Sequence, residues 1–176
     1  MADVVGIFTV IDGGALYFRR RSDDWLPDKW NIVSGHIEPG ETPTEAAKRE
    51  FKEEVGIDAE ETKFIHISDF EDAVITPKGR VPLRVHLYTY INESLKLDKI
   101  TVCEDEYVAK RVIPLNGIEL VVASRDESGK DSPFTSTDIR VIKEQMNNIR
   151  ALVVQTEHER SAEPVQGSAL LKTKVP

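Results

Sequence analysis

Two hydrophobic periods alternate along the chain, and each change of period marks an element. Val4 to Ile11 is apolar and rich in strand-forming residues, Asp12-Gly13-Gly14 carries turn chemistry, and Ala15 to Arg19 returns, which predicts an opening β-hairpin. Trp30 to Val33 predicts a third strand. Lys63 to Phe70 and Val81 to Ile91 predict two more, joined by a loop over Thr76-Pro77-Lys78-Gly79-Arg80. In the second of these, Leu83, Val85, Leu87 and Thr89 alternate with Arg84, His86, Tyr88 and Tyr90, so the two sets face opposite sides of a sheet. Tyr107 to Ile113 reads as a last strand and Asp138 to Val154 as a C-terminal helix. Periodicity fades from Gln155 onward. The expectation is one domain over 1–156 and a mobile tail over 157–176.

Between the third strand and Lys63 the period is helical. Thr42 is placed to cap a helix, with Pro43 at its first position and Glu45 closing a capping box. Ala46, Ala47, Phe51 and Val55 form an apolar stripe, and Gly56 stands where a left-handed residue ends a helix. Glu50, Glu53 and Glu54 stand at i, i+3 and i+4, so the spacing predicts three carboxylates on one face. Like charges that close repel and raise one another's pKa unless a cation sits among them. A hard divalent ion such as Mg²⁺ takes oxygen ligands of this kind, and Arg49, four residues before Glu53, offers a second partner.

The chemistry extends to both sides of that helix. Gly35, Glu41, Arg49, Glu50, Phe51, Glu53, Glu54, Gly56 and Ile57 fit the pattern G-x5-E-x7-R-E-U-x-E-E-x-G-U, where U is bulky and apolar. At average residue usage such a coincidence arises on the order of once in 10⁹ starting points. The stretch from Gly35 to Ile57 resembles the signature of the Nudix hydrolases. The resemblance implies an α/β fold, an α+β mixed-sheet sandwich of Nudix α/β/α type, with a loop-helix-loop that binds Mg²⁺ or Mn²⁺. It also implies hydrolysis of a nucleoside diphosphate linked to a further group, by attack of water on phosphorus, and homodimers are frequent among such enzymes.

Carried over position by position, the resemblance assigns Glu50, Glu53 and Glu54 to the metal, together with the backbone carbonyl of Ser34. Arg49 becomes the orienting arginine and Glu41 an accessory carboxylate. Many relatives have glycine where Ser34 stands, so the backbone angles there decide whether the carbonyl keeps its role. Proton transfer needs a carboxylate within hydrogen-bond reach of the attacking water. Glu53 or Glu50 is the expected helper, and Glu104 and Glu106, in the acidic turn before the last strand, are further candidates. Arg84, His86 and Tyr88 on one strand face, with Arg80, Arg19 and Trp25, are the candidate substrate contacts.

Composition narrows the partners. With 176 residues, 40% apolar content and a net charge of −8, the chain suits one ordinary core and lacks the basic face of a broad nucleic-acid binder. A polyanionic, nucleotide-like small molecule is still admissible, because a bound cation inverts the local field. Cys103 is the only cysteine, and no signal-like or membrane-spanning run is visible, which predicts a reducing, cytoplasmic setting away from membranes. Two other readings compete with the hydrolase. One is a non-catalytic nucleotide sensor on the same fold; such proteins usually lose a motif glutamate, and all are present here. The other is an isomerase of prenyl diphosphates, which expects a catalytic cysteine in a motif that Cys103 does not match. The proline or tyrosine that marks some subgroups beyond the last motif glycine is absent from Glu71, Asp72, Ala73 and Val74, so the substrate stays open.

Overall fold

The computed structural model describes residues 1–122 and 133–162. Seven strands among them form one mixed sheet: β1 (Ala2–Ile11), β2 (Gly14–Arg20), β3 (Trp30–Asn31), β4 (Val33–His36), β5 (Phe64–Thr76), β6 (Gly79–Ile91) and β7 (Tyr107–Pro114). The main order is β3-β2-β1-β6-β5, with β4 added to β1 and β7 to β2. Only β1 and β6 run parallel; Gly6 lies beside Leu87 and Ile7 beside Tyr88.

Helices cover both faces. Against one packs α1 (Pro43–Val55), burying Ala46, Ala47, Phe51 and Val55 on Val5, Ile7, Phe18, Tyr88 and Tyr90. Phe51 is the centre of this layer, with ring centroids 5.4 Å from Phe64 and 4.5 Å from Tyr90. Against the other face pack α2 (Ile118–Val122) and α3 (Ser136–Ala162), through Ile118, Ile142, Met146 and Ile149 on Phe8, Val10, Tyr17 and Leu87. The result is an α/β/α sandwich, as the resemblance implied.

Several boundaries differ from the sequence expectation. The third strand is two short strands: β3 pairs with β2, and after Ile32 the chain shifts so that β4 pairs with β1. The β5–β6 hairpin absorbs Thr76, Gly79 and Arg80 of the expected loop, turning only at Pro77 and Lys78. Residues 118–122 form a helix too short to show a period. The C-terminal helix starts at Ser136 rather than Asp138, because Thr135 supplies the cap: the Thr135 hydroxyl accepts the Asp138 N–H at 3.1 Å. It then runs past Val154 to Ala162, through 157–162 of the expected tail. Exposed helical turns need helix-compatible side chains but no apolar stripe, and Gln155–Glu159 supplies an i,i+4 hydrogen bond at 2.9 Å. Residues 163–176, the rest of that tail, lie outside the described residues.

Candidate active site

Local signals in the motif act as expected. The Thr42 hydroxyl accepts the Glu45 N–H at 3.2 Å while the Glu45 carboxylate accepts the Thr42 N–H at 2.7 Å, and Gly56 adopts φ 79°. Arg49 joins this helix to the loop before it. Its guanidinium donates to Glu41 Oε1 at 2.8 Å and Oε2 at 3.0 Å, to Glu50 Oε1 at 2.7 Å and to the His36 carbonyl at 2.9 Å. Glu41 in turn accepts the Glu38 N–H at 3.0 Å, and the Arg49 hydrogen bonds hold its carboxyl below the usual range.

The three helix glutamates do not share one environment. Successive residues are rotated by about 100°, so Glu53 and Glu54 diverge. Glu53 is exposed, with one contact of 3.4 Å to Arg49. Glu54 is 1% exposed; its Oε1 accepts the Tyr107 hydroxyl at 2.7 Å, and its Oε2 is buried without a partner. Burial, with the charges of Glu106 and Glu50 adding to it, pushes the Glu54 carboxyl well up. Glu50 lies between them, its carboxyl over the Cα of Gly35 in space that a Cβ would occupy. Burial pushes Glu50 up more than Arg49 draws it down, and Glu53 and Glu106 add to the rise.

This donor set fits a hard divalent cation in kind: an orphaned buried carboxylate oxygen, a second carboxyl in a backbone cradle, and the charge of Glu106 felt by both. As the side chains stand, no three His, Cys, Asp or Glu among the described residues form a ready cage. Ser34 lies in β4 opposite Gly6 and has no left-handed backbone angle, so its conformation is one serine adopts without strain.

Gly35, Glu50, Arg49 and Glu106 open onto a cavity of about 280 Å³. Its apolar walls come from Val4, Leu83, Val85, Leu87 and Val74 on the sheet, Leu26 from the loop after β2, and Val141 from α3. Leu26 is held by Asp24, whose Oδ1 accepts the Leu26 N–H at 3.0 Å while its Oδ2 accepts from the buried Arg20 at 3.0 Å. Trp25 lines the cavity, with the Arg20 guanidinium 5.7 Å from its ring. Arg20 also lies over the Tyr107 ring at 5.3 Å and 3.9 Å from Glu106. Asn31, Thr135, Thr137 and Asp138 complete the lining.

Of the expected substrate contacts, Trp25 is at this cavity. Arg84, His86 and Tyr88 are not, because their alternates Leu83, Val85 and Leu87 face it. Tyr88 is buried in the layer under α1 and bonds Thr44 at 3.1 Å; His86 Nδ1 meets Asp69 at 2.9 Å; Arg84 stands near Asp3 and Glu71. Arg19 is tied to Asp28 at 2.8 Å on the other side of β2, and Arg80 is exposed near the β5–β6 turn. Glu106 lines the cavity, whereas Glu104 is exposed and lends only its carbonyl, to Arg21 at 3.3 Å. Sequence reading missed Arg20, Asn31, Thr137 and Asp138. Only Arg20 had a usable signal, since the alternation Leu16, Phe18, Arg20 points it inward.

A family model described as NUDIX domain matches residues 2–134. This chain belongs to the NUDIX domain family. Over 126 residues it is 28% identical to the m7GpppN-mRNA hydrolase NUDT17 of Xenopus laevis, covering 68% of this chain and 43% of that one. Over 43 residues it is 54% identical to the dihydroneopterin triphosphate diphosphatase of Escherichia coli, covering 24% of this chain and 27% of that one. The NUDIX chain thus spans less than half the length of these curated relatives. The solved structure of the E. coli dihydroneopterin triphosphate pyrophosphohydrolase superposes with a TM-score of 0.59 at 21% identity, over 83% of this chain and 95% of that one. That likeness concerns the fold. No described helix is long and apolar enough to cross a membrane.

Proposed function

We propose that this NUDIX protein hydrolyses a diphosphate linkage in a nucleotide-like substrate with the help of Mg²⁺ or Mn²⁺. One observation carries the reading: a buried glutamate oxygen without a partner, on Glu54, lies near Glu50 and Glu106 where the motif meets a cavity. Glu50, Glu54 and the Ser34 carbonyl would hold the cation. A bound dication supplies charge neutralisation on the phosphate oxygens and acidifies water.

The remaining work falls to the chain itself. Arg49 keeps Glu41 and Glu50 in place through three hydrogen bonds, with a fourth to the His36 carbonyl, so that Glu50 needs little reorganisation. Glu106, half-buried at the cavity with one oxygen 3.9 Å from Arg20, is the proposed proton acceptor for water. Exposed Glu53, the other candidate, contributes charge from the solvent side. Apolar walls beside the motif position the substrate ring, and proximity of this kind supplies a large part of a barrier reduction.

The test is phosphate release in a phosphatase-coupled assay over nucleoside triphosphates, dinucleoside polyphosphates, nucleotide sugars and dihydroneopterin triphosphate, with Mg²⁺, Mn²⁺ or chelator. Turnover that requires the cation and is lost in Glu50→Gln supports the proposal. Silence of the whole panel while nucleotides still raise the Tm would replace it with a binding role.

A further inference from the structure

The last strand is irregular where it meets the motif helix. Val112 and Lys110 of β7 lie opposite Leu16 and Phe18 of β2, in the layer under α1, so strict alternation would place Val108 there next. The register instead shifts between Arg19 and Arg20: Ala109 lies opposite Arg19, and Tyr107 lies opposite Arg20. Val108 is the extra residue of a β-bulge and stands 56% exposed, while Tyr107 takes the inward place at 1%. Bulges of this kind re-aim a side chain, and they collect beside active sites.

The re-aimed side chain reaches Glu54. The Tyr107 ring packs on Phe18 with centroids 5.1 Å apart and carries the Arg20 guanidinium at 5.3 Å, and its hydroxyl donates to Glu54 Oε1 at 2.7 Å. Packing asks only for the ring. Phenylalanine would fill the same space, so the hydroxyl has a separate reason to be there. A glutamate carboxyl turns about its last bond on a soft, roughly two-fold torsion that exchanges its two oxygens. Here one partner breaks that symmetry: Oε1 is engaged, and Oε2 is buried with nothing bonded to it.

We propose that Tyr107 is a positioning residue for the cation: by holding Glu54 Oε1, it presents Oε2 as the ligand oxygen. The inference rests on the reading of Glu54 as a ligand of Mg²⁺ or Mn²⁺, and it adds the group that orients that ligand. Hydrogen-bond partners of ligating carboxylates typically contribute about 10–100-fold to metal affinity or activity. The bulge acquires a function in the same step. In regular alternation β7 would turn Tyr107 to the opposite face and set the aliphatic Val108, which has no donor, in the place opposite Arg20.

Mn²⁺ binding to the full chain without substrate, read from the EPR signal of the free ion, tests this apart from any turnover. Tyr107→Phe keeps the ring and deletes only the hydroxyl. Its Kd for Mn²⁺ is expected to rise by about 10–100-fold, with a Tm in chelator within a few degrees of the wild type. Phe18→Leu loosens the same layer without touching Glu54, so it lowers the Tm at least as far and leaves the Kd unchanged. In a Glu54→Gln background, already weaker for Mn²⁺, Tyr107→Phe adds nothing, because the two residues act as one unit. The inference is overturned if Tyr107→Phe binds Mn²⁺ like the wild type, if Phe18→Leu weakens binding as much, or if the hydroxyl still matters once Glu54 is replaced. Each of those results leaves the metal-dependent hydrolase reading standing. A wild type that binds no Mn²⁺ overturns both.

Discussion

The carboxyl of Glu50 occupies the space above Gly35 that a side chain would fill. The first glycine of the motif is therefore needed for what it lacks: without a Cβ, β4 lets a carboxylate from α1 lie against its backbone. Glycine's conformational freedom is not the reason, since Gly35 has no left-handed angle, unlike Gly40 and Gly56.

Gly35→Ala should consequently leave the fold standing and displace Glu50, whose flexible end yields more readily than the strand. A reacting or ligand group misplaced by about 1 Å commonly costs on the order of 10²-fold in rate. Steady-state kinetics beside a thermal melt would show a kcat/KM loss of that size with a Tm change of only a few degrees. A variant with full activity would mean that Glu50 does not act from this position.

Arg49→Lys tests whether geometry or charge matters at the motif's centre. Lysine keeps the charge but cannot reach Glu41, Glu50 and the His36 carbonyl at once in the planar fork that arginine provides. Partners that orient ligand carboxylates typically contribute 10–100-fold to metal affinity or activity. Titration of Mn²⁺ with activity as readout should reveal both a weaker metal requirement curve and a lower plateau in the variant.

The proton acceptor can be assigned by comparing three glutamine variants. Glu106→Gln is expected to lower kcat by about 10²–10⁴-fold, the range of general base catalysis. Glu104→Gln, exposed and away from the cavity, should be near normal. If Glu53→Gln is the crippled variant and Glu106→Gln is active, the solvent-side glutamate holds the role.

Asp138 makes a pH prediction. Burial is the main cause that pushes its carboxyl up to about 7, from an ordinary value of 3.8. The folded state thus keeps a proton that the unfolded chain releases, and stability must fall as pH rises from about 4 to about 7, then level off. The upper limit of that loss is on the order of 4 kcal/mol. Denaturant melts of the wild type and Asp138→Asn at pH 5 and pH 8 isolate this residue from Glu50 and Glu54, whose raised carboxyls tilt the curve the same way. The variant should gain relative to the wild type at pH 8; parallel behaviour at both pH values would refute the shift.

What the sequence determined by itself was the motif and its helix. Thr42, Pro43, Glu45 and Gly56 act on backbone groups within one turn, and the apolar spacing of Ala46, Ala47, Phe51 and Val55 needs only a sheet to face, so local rules suffice. The alternation of β6 was equally legible, although which set would face the cavity was not. Tertiary structure decided the rest. It buried Glu54 under Tyr107 and left Glu53 in solvent, since one turn of helix meets both core and water. It turned Arg84, His86 and Tyr88 away from the cavity, brought Glu106 to Glu50 across more than fifty residues of chain, and assembled Asn31 with Asp138 through the N–H of Ile32. Such juxtapositions follow from strand order and from where α3 begins, and no period or cap within a single segment records them.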